Sequence, residues 1–358
     1  MQDPAAGCNG SEPLAGNVDE FRETLLRWFG MHQRDLPWRR TKDPYAIWVS
    51  EIMLQQTRVA AVVPYYERFL QRFPDTKALA EASETDLLAH WAGLGYYHRA
   101  RNLQKAAREM QMEARFPGSY ERIRMLPGIG DYTAAAIASM GFGLPHAVLD
   151  GNVFRVLSRL SNDHTNIKTS PGRKHFSHMA DNLLDREQPG DFNQAMMELG
   201  ATICLPRNPQ CLLCPVAAMC KARQAGTQER LPISNSDKRS FREERTLFWI
   251  QHAGQVLAWQ RPPESRLMPG FWELPERTQL PHVVPSKSLG SFRHGITFHS
   301  YRFDVASADV PQDTRTCQWI ALCDLSAVPI STIFRKARRV VQGRSHSPGL
   351  VRTAASRG

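Results

Sequence analysis

The chain has 358 residues and a formal net charge of +10. That length accommodates two domains, and no apolar run reaches the roughly 18 residues of a membrane-spanning helix. The charge favours a polyanion partner, nucleic acid ahead of an anionic membrane, and the polar stretch Met1–Gly16 lacks the basic-then-apolar order of a secretory signal.

From Asn17 to about Lys221 the pattern is helical. "NVDEFRETLLRWF" opens with an Asn cap and Glu20 in the reciprocal position, and Phe21, Leu25, Trp28 and Phe29 recur on one face. "DPYAIWVSEIMLQQT" has Asp43 as cap and Pro44 in the first turn. "SETDLLAHW", "YYHRARNLQKAAREMQ" and "DFNQAMMELGATIC" also predict helices. Residues 223–244 are polar, carry Gly226 and Pro232, and read as a linker. The pattern then turns strand-like. "RTLFWIQHAGQVLAWQR" predicts a hairpin near Ala253-Gly254, "FHSYRFDVA" and "TCQWIAL" predict strands, and "STIFRKARRVV" a closing helix. Residues 342–358 are small, polar and basic, and are expected to be disordered.

Between the helices, "LPGIGDYTA" (Leu126–Ala134) has the form of a tight turn leading into a helix. Gly128 and Gly130 give it backbone freedom. Clustered N–H groups with a helix N-terminus behind them suit an anion such as DNA phosphate. Four of the seven cysteines, Cys204, Cys211, Cys214 and Cys220, are separated by six, two and five residues. Four thiolates at this density suit zinc or an iron–sulfur cluster and point to a reducing, cytoplasmic compartment.

"LPWRR", "SEIMLQQT", "GLGYYHRARNL", "LPGIGDYTAAAI", "LDGNVFRV" and "NQAMMELGATIC" occur in the order found in the MutY-type adenine DNA glycosylases, which the chain resembles from about Phe21 to Cys220. These enzymes form part of the endonuclease III branch of the helix-hairpin-helix superfamily. The resemblance implies an all-α helix-hairpin-helix glycosylase domain with an iron–sulfur cluster (residues 17–222), followed by an α+β Nudix-like C-terminal domain (245–341). It selects a [4Fe-4S] cluster on the four cysteines. It implies a monomer acting on double-stranded DNA with a flipped adenine, opposite 8-oxoguanine or guanine.

Such chemistry needs an acid for the departing base and a carboxylate for the oxocarbenium-like sugar. Glu51, in an apolar helix, is the candidate acid, since burial raises a carboxyl pKa. Asp150 is the second carboxylate and also a natural helix cap, with Asn152 beside it. Tyr132 stands where bifunctional relatives carry a Schiff-base lysine. A phenol forms no imine, so the resemblance implies base removal without strand cleavage, with Tyr132 positioning Asp150 or the attacking water. The alternative is an endonuclease III-like lyase on oxidised pyrimidines. By the same resemblance Leu36, Trp38, Arg39 and Glu198 receive adenine, while Gln56, Thr57, Leu94 and Tyr96 surround the base left opposite. His98, Arg99 and Arg101 form a basic flank suited to phosphate.

"MPGFWELPE" (Met268–Glu276) resembles the opening of a Nudix fold, but no further glutamate follows before Phe292, which argues against pyrophosphate hydrolysis. The resemblance assigns this domain to 8-oxoguanine recognition. Ile296-Thr297-Phe298 replaces the family's Phe-Ser-His, leaving Thr297 as the hydroxyl of that loop.

Overall fold

A computed structural model of the chain describes residues 14–111, 116–235, 241–265, 268–296, 299–311, 314, 316–326 and 328–344. Cys8, Thr297, Phe298 and residues 345–358 of the expected tail lie outside them. The chain divides into two compact units, Met1–Ser236 and Asp237–Gly358.

The first unit is helical. Its elements are α1 (Val18–His32), α2 (Pro44–Leu54), α3 (Val59–Arg72), α4 (Thr76–Glu81), α5 (Glu84–Trp91), α6 (His98–Gln111), α7 (Tyr120–Met125), α8 (Asp131–Phe142), α9 (Gly151–Ser161), α10 (Ser170–Leu183), α11 (Pro189–Thr202) and the short α12 (Lys221–Ala225). Asn17 caps α1 through the Asp19 amide, and Asp43 caps α2 through the amides of Tyr45 and Ala46. Every residue from Tyr45 to Met53 is buried. A helix apolar on all sides belongs at the centre of a fold, and α2 carries Glu51 there with it. In α8, Thr133–Ser139 are buried, and α8 packs against α2. A Cβ at Gly141 of α8 would stand 3.1 Å from Cβ of Pro44, so the two helices meet there without a side chain on residue 141.

A second core joins Phe21 and Leu25 of α1, Leu157 of α9, Phe176 of α10, and Phe192 and Leu199 of α11. Each such burial stabilises by about 1.5–3 kcal/mol. Helices α9 and α11 approach closely at Gly200, where a Cβ would stand 2.6 Å from Cβ of Asn152.

The expected linker at 223–244 is mostly structured. Leu231 is buried and its carbonyl accepts from Arg159 (3.1 Å). The Ile233 carbonyl accepts from the Ile167 amide (3.0 Å). Polar composition concealed this, because the segment is held by its carbonyls rather than by an apolar face. Leu14, outside the expected 17–222 span, is buried as well.

In the second unit, β1 (Phe241–Trp249) begins inside the expected linker. It is followed by β2 (Gln251–His252), β3 (Gln255–Gln260), β4 (Trp272–Glu273), β5 (Lys287–Ile296), β6 (His299–Ser307), β7 (Gln318–Ala321) and α13 (Thr332–Arg344), which packs on β5. One sheet has the order β1-β6-β5, with β1 parallel and β5 antiparallel to β6. The other has the order β2-β3-β4, with β7 also paired to β3. The unit is therefore α+β. The expected hairpin is confined to β2–β3, turning at Ala253 and Gly254 with φ of 46° and 76°. β1 stands outside that hairpin, and its C-terminal end is buried on both faces. Leu247 and Trp249 enter one apolar cluster and Phe248 another.

Candidate active site

A cavity of about 400 Å3 opens in the first unit among α2, α8, α9, α11 and the turn Pro37–Arg39. That volume suits a small-molecule or base-sized occupant. Glu51, Tyr132, Asp150 and Asn152 all line it, as do Leu36, Trp38, Arg39, Thr57 and Glu198.

Glu51 is 5% exposed. The Tyr132 hydroxyl donates to its Oε2 at 2.7 Å and lies 3.3 Å from Sδ of Met197. Burial pushes the Glu51 carboxyl up to about 7. Repulsion from Asp150 adds to this, and the Tyr132 bond and Arg39 oppose it. A carboxyl at that value is matched to proton donation near neutrality. The Tyr132 hydroxyl thus serves Glu51, where the sequence led us to expect Asp150 or a water. Residue 132 lies on α8, which packs directly against the helix bearing Glu51.

Asp150 caps α9. Its Oδ1 accepts from the Val153 amide (2.7 Å) and its Oδ2 from Nδ2 of Asn152 (2.9 Å). Burial raises its pKa and these two donors lower it. The capping and catalytic readings of Asp150 are compatible, since one carboxylate accepts more than two hydrogen bonds. Asn152 is oriented in turn by Arg155, whose Nη2 donates to its Oδ1 (2.9 Å) and whose Nε donates to the Cys204 carbonyl (2.8 Å).

Glu198 is fully buried and doubly paired. Its Oε1 accepts from Nε of Arg34 (2.7 Å), and its Oε2 from Nη2 of Arg34 (2.6 Å) and Nη2 of Arg39 (2.8 Å). Burial would raise this carboxyl, but the two arginines outweigh burial and hold it at about 2. Glu198 is therefore an ionised acceptor. Trp38 is buried, its ring edge-on to Tyr66 at 5.3 Å. Arg34, Gln55, Gln194 and Met197 also line the cavity and were not singled out in the sequence. Arg34 lies two residues before Leu36, and its salt-bridge role depends on α11, 164 positions away.

Gln56, Leu94 and Tyr96 do not line the cavity. Gln56 and Tyr96 are exposed, Tyr96 at 52%, whereas Leu94 is buried. Leu94 thus packs inside and presents little surface to a base. Arg99 is also buried, so it is no part of the basic flank expected there, while Arg101 pairs with Glu84 (2.7 Å). In the turn before α8, Gly128 has φ 78° and no room for a Cβ, which would meet Asn102 at 2.7 Å. Gly130, at φ −99°, is an extended cap that places no such demand. Asp131 is paired with Arg124, which offsets its charge.

Cys204, Cys211, Cys214 and Cys220 line one small cavity, and Nη1 of Arg159 donates to Sγ of Cys204 (3.2 Å). Among the described residues no three His, Cys, Asp or Glu side chains are arranged to hold a single metal ion. Four thiols round one cavity suit zinc or an iron–sulfur cluster.

Residues 49–180 match the family of HhH-GPD superfamily base excision DNA repair proteins. The chain is 46% identical to an adenine DNA glycosylase of Rattus norvegicus over 405 residues, an alignment spanning 91% of this chain and 78% of that protein. The chain belongs to the adenine DNA glycosylase family. The human adenine DNA glycosylase is 45% identical over 230 residues, 61% of this chain and 42% of that protein. The chain thus spans less than half of the human relative in that match. Among solved structures, a thermostable thymine-DNA glycosylase superposes with a TM-score of 0.54 at 29% identity, over 58% of this chain and 97% of that one. Members of the adenine DNA glycosylase family typically carry an iron–sulfur cluster, in keeping with the four thiols.

Proposed function

We propose that the chain hydrolyses the N-glycosidic bond of adenine paired with 8-oxoguanine or guanine in double-stranded DNA and leaves an abasic site. The observation that carries this reading is the pair of buried carboxyls, Glu51 and Asp150, in one base-sized cavity, with Glu51 held at about 7.

A base inside a duplex must leave the stack before its glycosidic bond can be reached. In the cavity the ionised Glu198 accepts from the adenine amino group, and Leu36 and Trp38 supply apolar walls. Glu51 gives its proton to N7 of the base. The bond from C1′ to N9 then breaks and its electron pair leaves with the base. The developing positive charge on the sugar is stabilised by the Asp150 carboxylate, which Asn152 and the Val153 amide hold in place. Water adds to C1′ and its proton passes to the Glu51 carboxylate, completing the abasic sugar and restoring the acid. No lysine is among the described residues lining the cavity, which supports hydrolysis over an imine-forming lyase.

Cys204, Cys211, Cys214 and Cys220 would hold a [4Fe-4S] cluster, whose contribution is to brace the loop between α11 and α12. The N-terminus of α8 and Gly128 suit contact with the DNA backbone. The second unit is assigned to reading 8-oxoguanine in the opposite strand, and the active species is a monomer. The net charge of +10 supports a polyanionic partner.

Single-turnover cleavage tests the reading on duplexes with adenine opposite 8-oxoguanine, adenine opposite guanine, or thymine glycol, each with and without alkali. Alkali-dependent breaks at the first two are expected. Breaks at thymine glycol without alkali would replace this reading with the lyase.

A further inference from the structure

One buried side chain holds two exposed loops. Arg99, near the start of α6, is 4% exposed. Its Nη1 donates to the carbonyls of Ile52 (2.9 Å), Met53 (3.0 Å) and Gln55. Its Nη2 donates to the carbonyls of Leu94 (3.2 Å) and Gly95 (3.3 Å) and reaches Oγ1 of Thr57 (3.4 Å). The last carbonyls of a helix have no intrahelical donor, and a cation there complements the helix dipole. Arg99 supplies these donors to the end of α2 and, with the same guanidinium, to the loop after α5. The Trp91 ring lies 5.5 Å from the guanidinium, and its Nε1 donates to the Gly95 carbonyl (3.0 Å).

The carbonyls chosen have a geometric consequence. Gln55 O and Gly95 O belong to the peptide groups that immediately precede Gln56 and Tyr96. Fixing those two planes fixes the axes about which φ of Gln56 and Tyr96 turn. Both residues have left-handed φ, 59° and 49°, a conformation that is unfavourable for a non-glycine residue and persists only when its surroundings impose it. The Tyr96 ring also lies over the same guanidinium at 5.3 Å. Among the described residues, Nε of Arg99 has no hydrogen-bond partner, nor has Nε1 of the neighbouring Trp48. Both residues line a cavity of about 60 Å3 beside Gly128, room for an ordered water.

We infer that Arg99 is a positioning residue which locks Gln56 and Tyr96 into one preformed pair of probes that enter the DNA stack together. This rests on the base-removal reading above. Opening a base pair is costly, and so is ordering a loop on binding. Backbones already fixed at both residues leave less to order.

The test compares R99K, and R99Q should R99K fail to fold, with the wild-type chain in two measurements. In the first, amide exchange is followed in the free protein at Thr57 and Leu94. Arg99 replacement is expected to speed exchange at least tenfold in both loops, with the interiors of α2 and α6 unchanged. In the second, single-turnover adenine release is measured in the wild-type and Q56A/Y96A backgrounds. Replacing Arg99 is expected to slow release at least tenfold in the first background and less than twofold in the second, the signature of action through those residues. Equal slowing in both backgrounds, or loosening of one loop alone, would overturn the inference. If the unaltered chain releases no adenine, the base-removal reading fails, and the exchange measurement still decides whether Arg99 couples the loops.

Discussion

The Tyr132 hydroxyl donates to Oε2 of Glu51 across 2.7 Å, between two helices that pack at the centre of the first unit. A phenol here can hold the Glu51 carboxyl in place both before and after its proton passes to a base. It cannot attack a sugar as an amine does.

Glu51→Gln should retain DNA binding and lose about 10²–10⁴-fold in single-turnover base release, the range for a general acid. Asp150→Asn should lose release too, yet melt close to the wild type, because Asn caps a helix nearly as well as Asp. Release at the normal rate by either variant removes that residue from the chemistry.

Base release should fall above about pH 7, as Glu51 loses its proton. The same group makes stability depend on pH. The folded chain keeps this proton up to about 7, whereas an unfolded glutamate loses it near 4.5. Burial of the charged form therefore costs nothing below about 4.5, a growing amount between these values, and its full amount, of order 3 kcal/mol, above 7. Glu51→Gln should melt higher than the wild type at pH 8, and the difference should vanish near pH 4.5. A constant difference across that window would contradict the raised pKa.

Glu198 has the opposite sign. Its folded carboxyl lies at about 2, below the unfolded value, so its contribution is complete above about pH 4.5 and is lost as pH falls toward 2. Glu198→Gln leaves the nearly buried Arg39 without its carboxylate. Denaturant melts at pH 7 should show a loss of about 3–5 kcal/mol.

A chain ending at Asn235 should still release adenine but show less preference for 8-oxoguanine over guanine opposite it. Ending at Ala225 instead would remove the Leu231 and Ile233 carbonyls that hold α9 and the segment before α10. It would therefore confuse misfolding with lost recognition. An unchanged ratio in the longer truncation would take this role from the second unit.

The residues that meet in the cavity were largely legible because their chemistry is carried by type and local motif. Glu51 is a lone carboxylate in an apolar helix, and Asp150 stands at a cap. The arginines were not legible. Arg34, Arg99 and Arg155 act on a carboxylate, carbonyls and an amide that only tertiary packing brings near, and a buried arginine looks in sequence like any surface charge. Leu94 and Tyr96 were read alike from one Gly-rich loop, yet one is buried and the other exposed. The hairpin at Ala253-Gly254 was legible from its turn, while the parallel pairing of β1 with β6 was not, since no local signal announces a partner 58 positions away.

At Gly200 the first turn of α9 rests against α11 with no side chain between them. A methyl group there would push Asn152 outward, and with it the cap at Asp150, while Glu51 stayed on the central helix. The spacing of the two carboxylates is thus gauged by a hydrogen atom on a third helix.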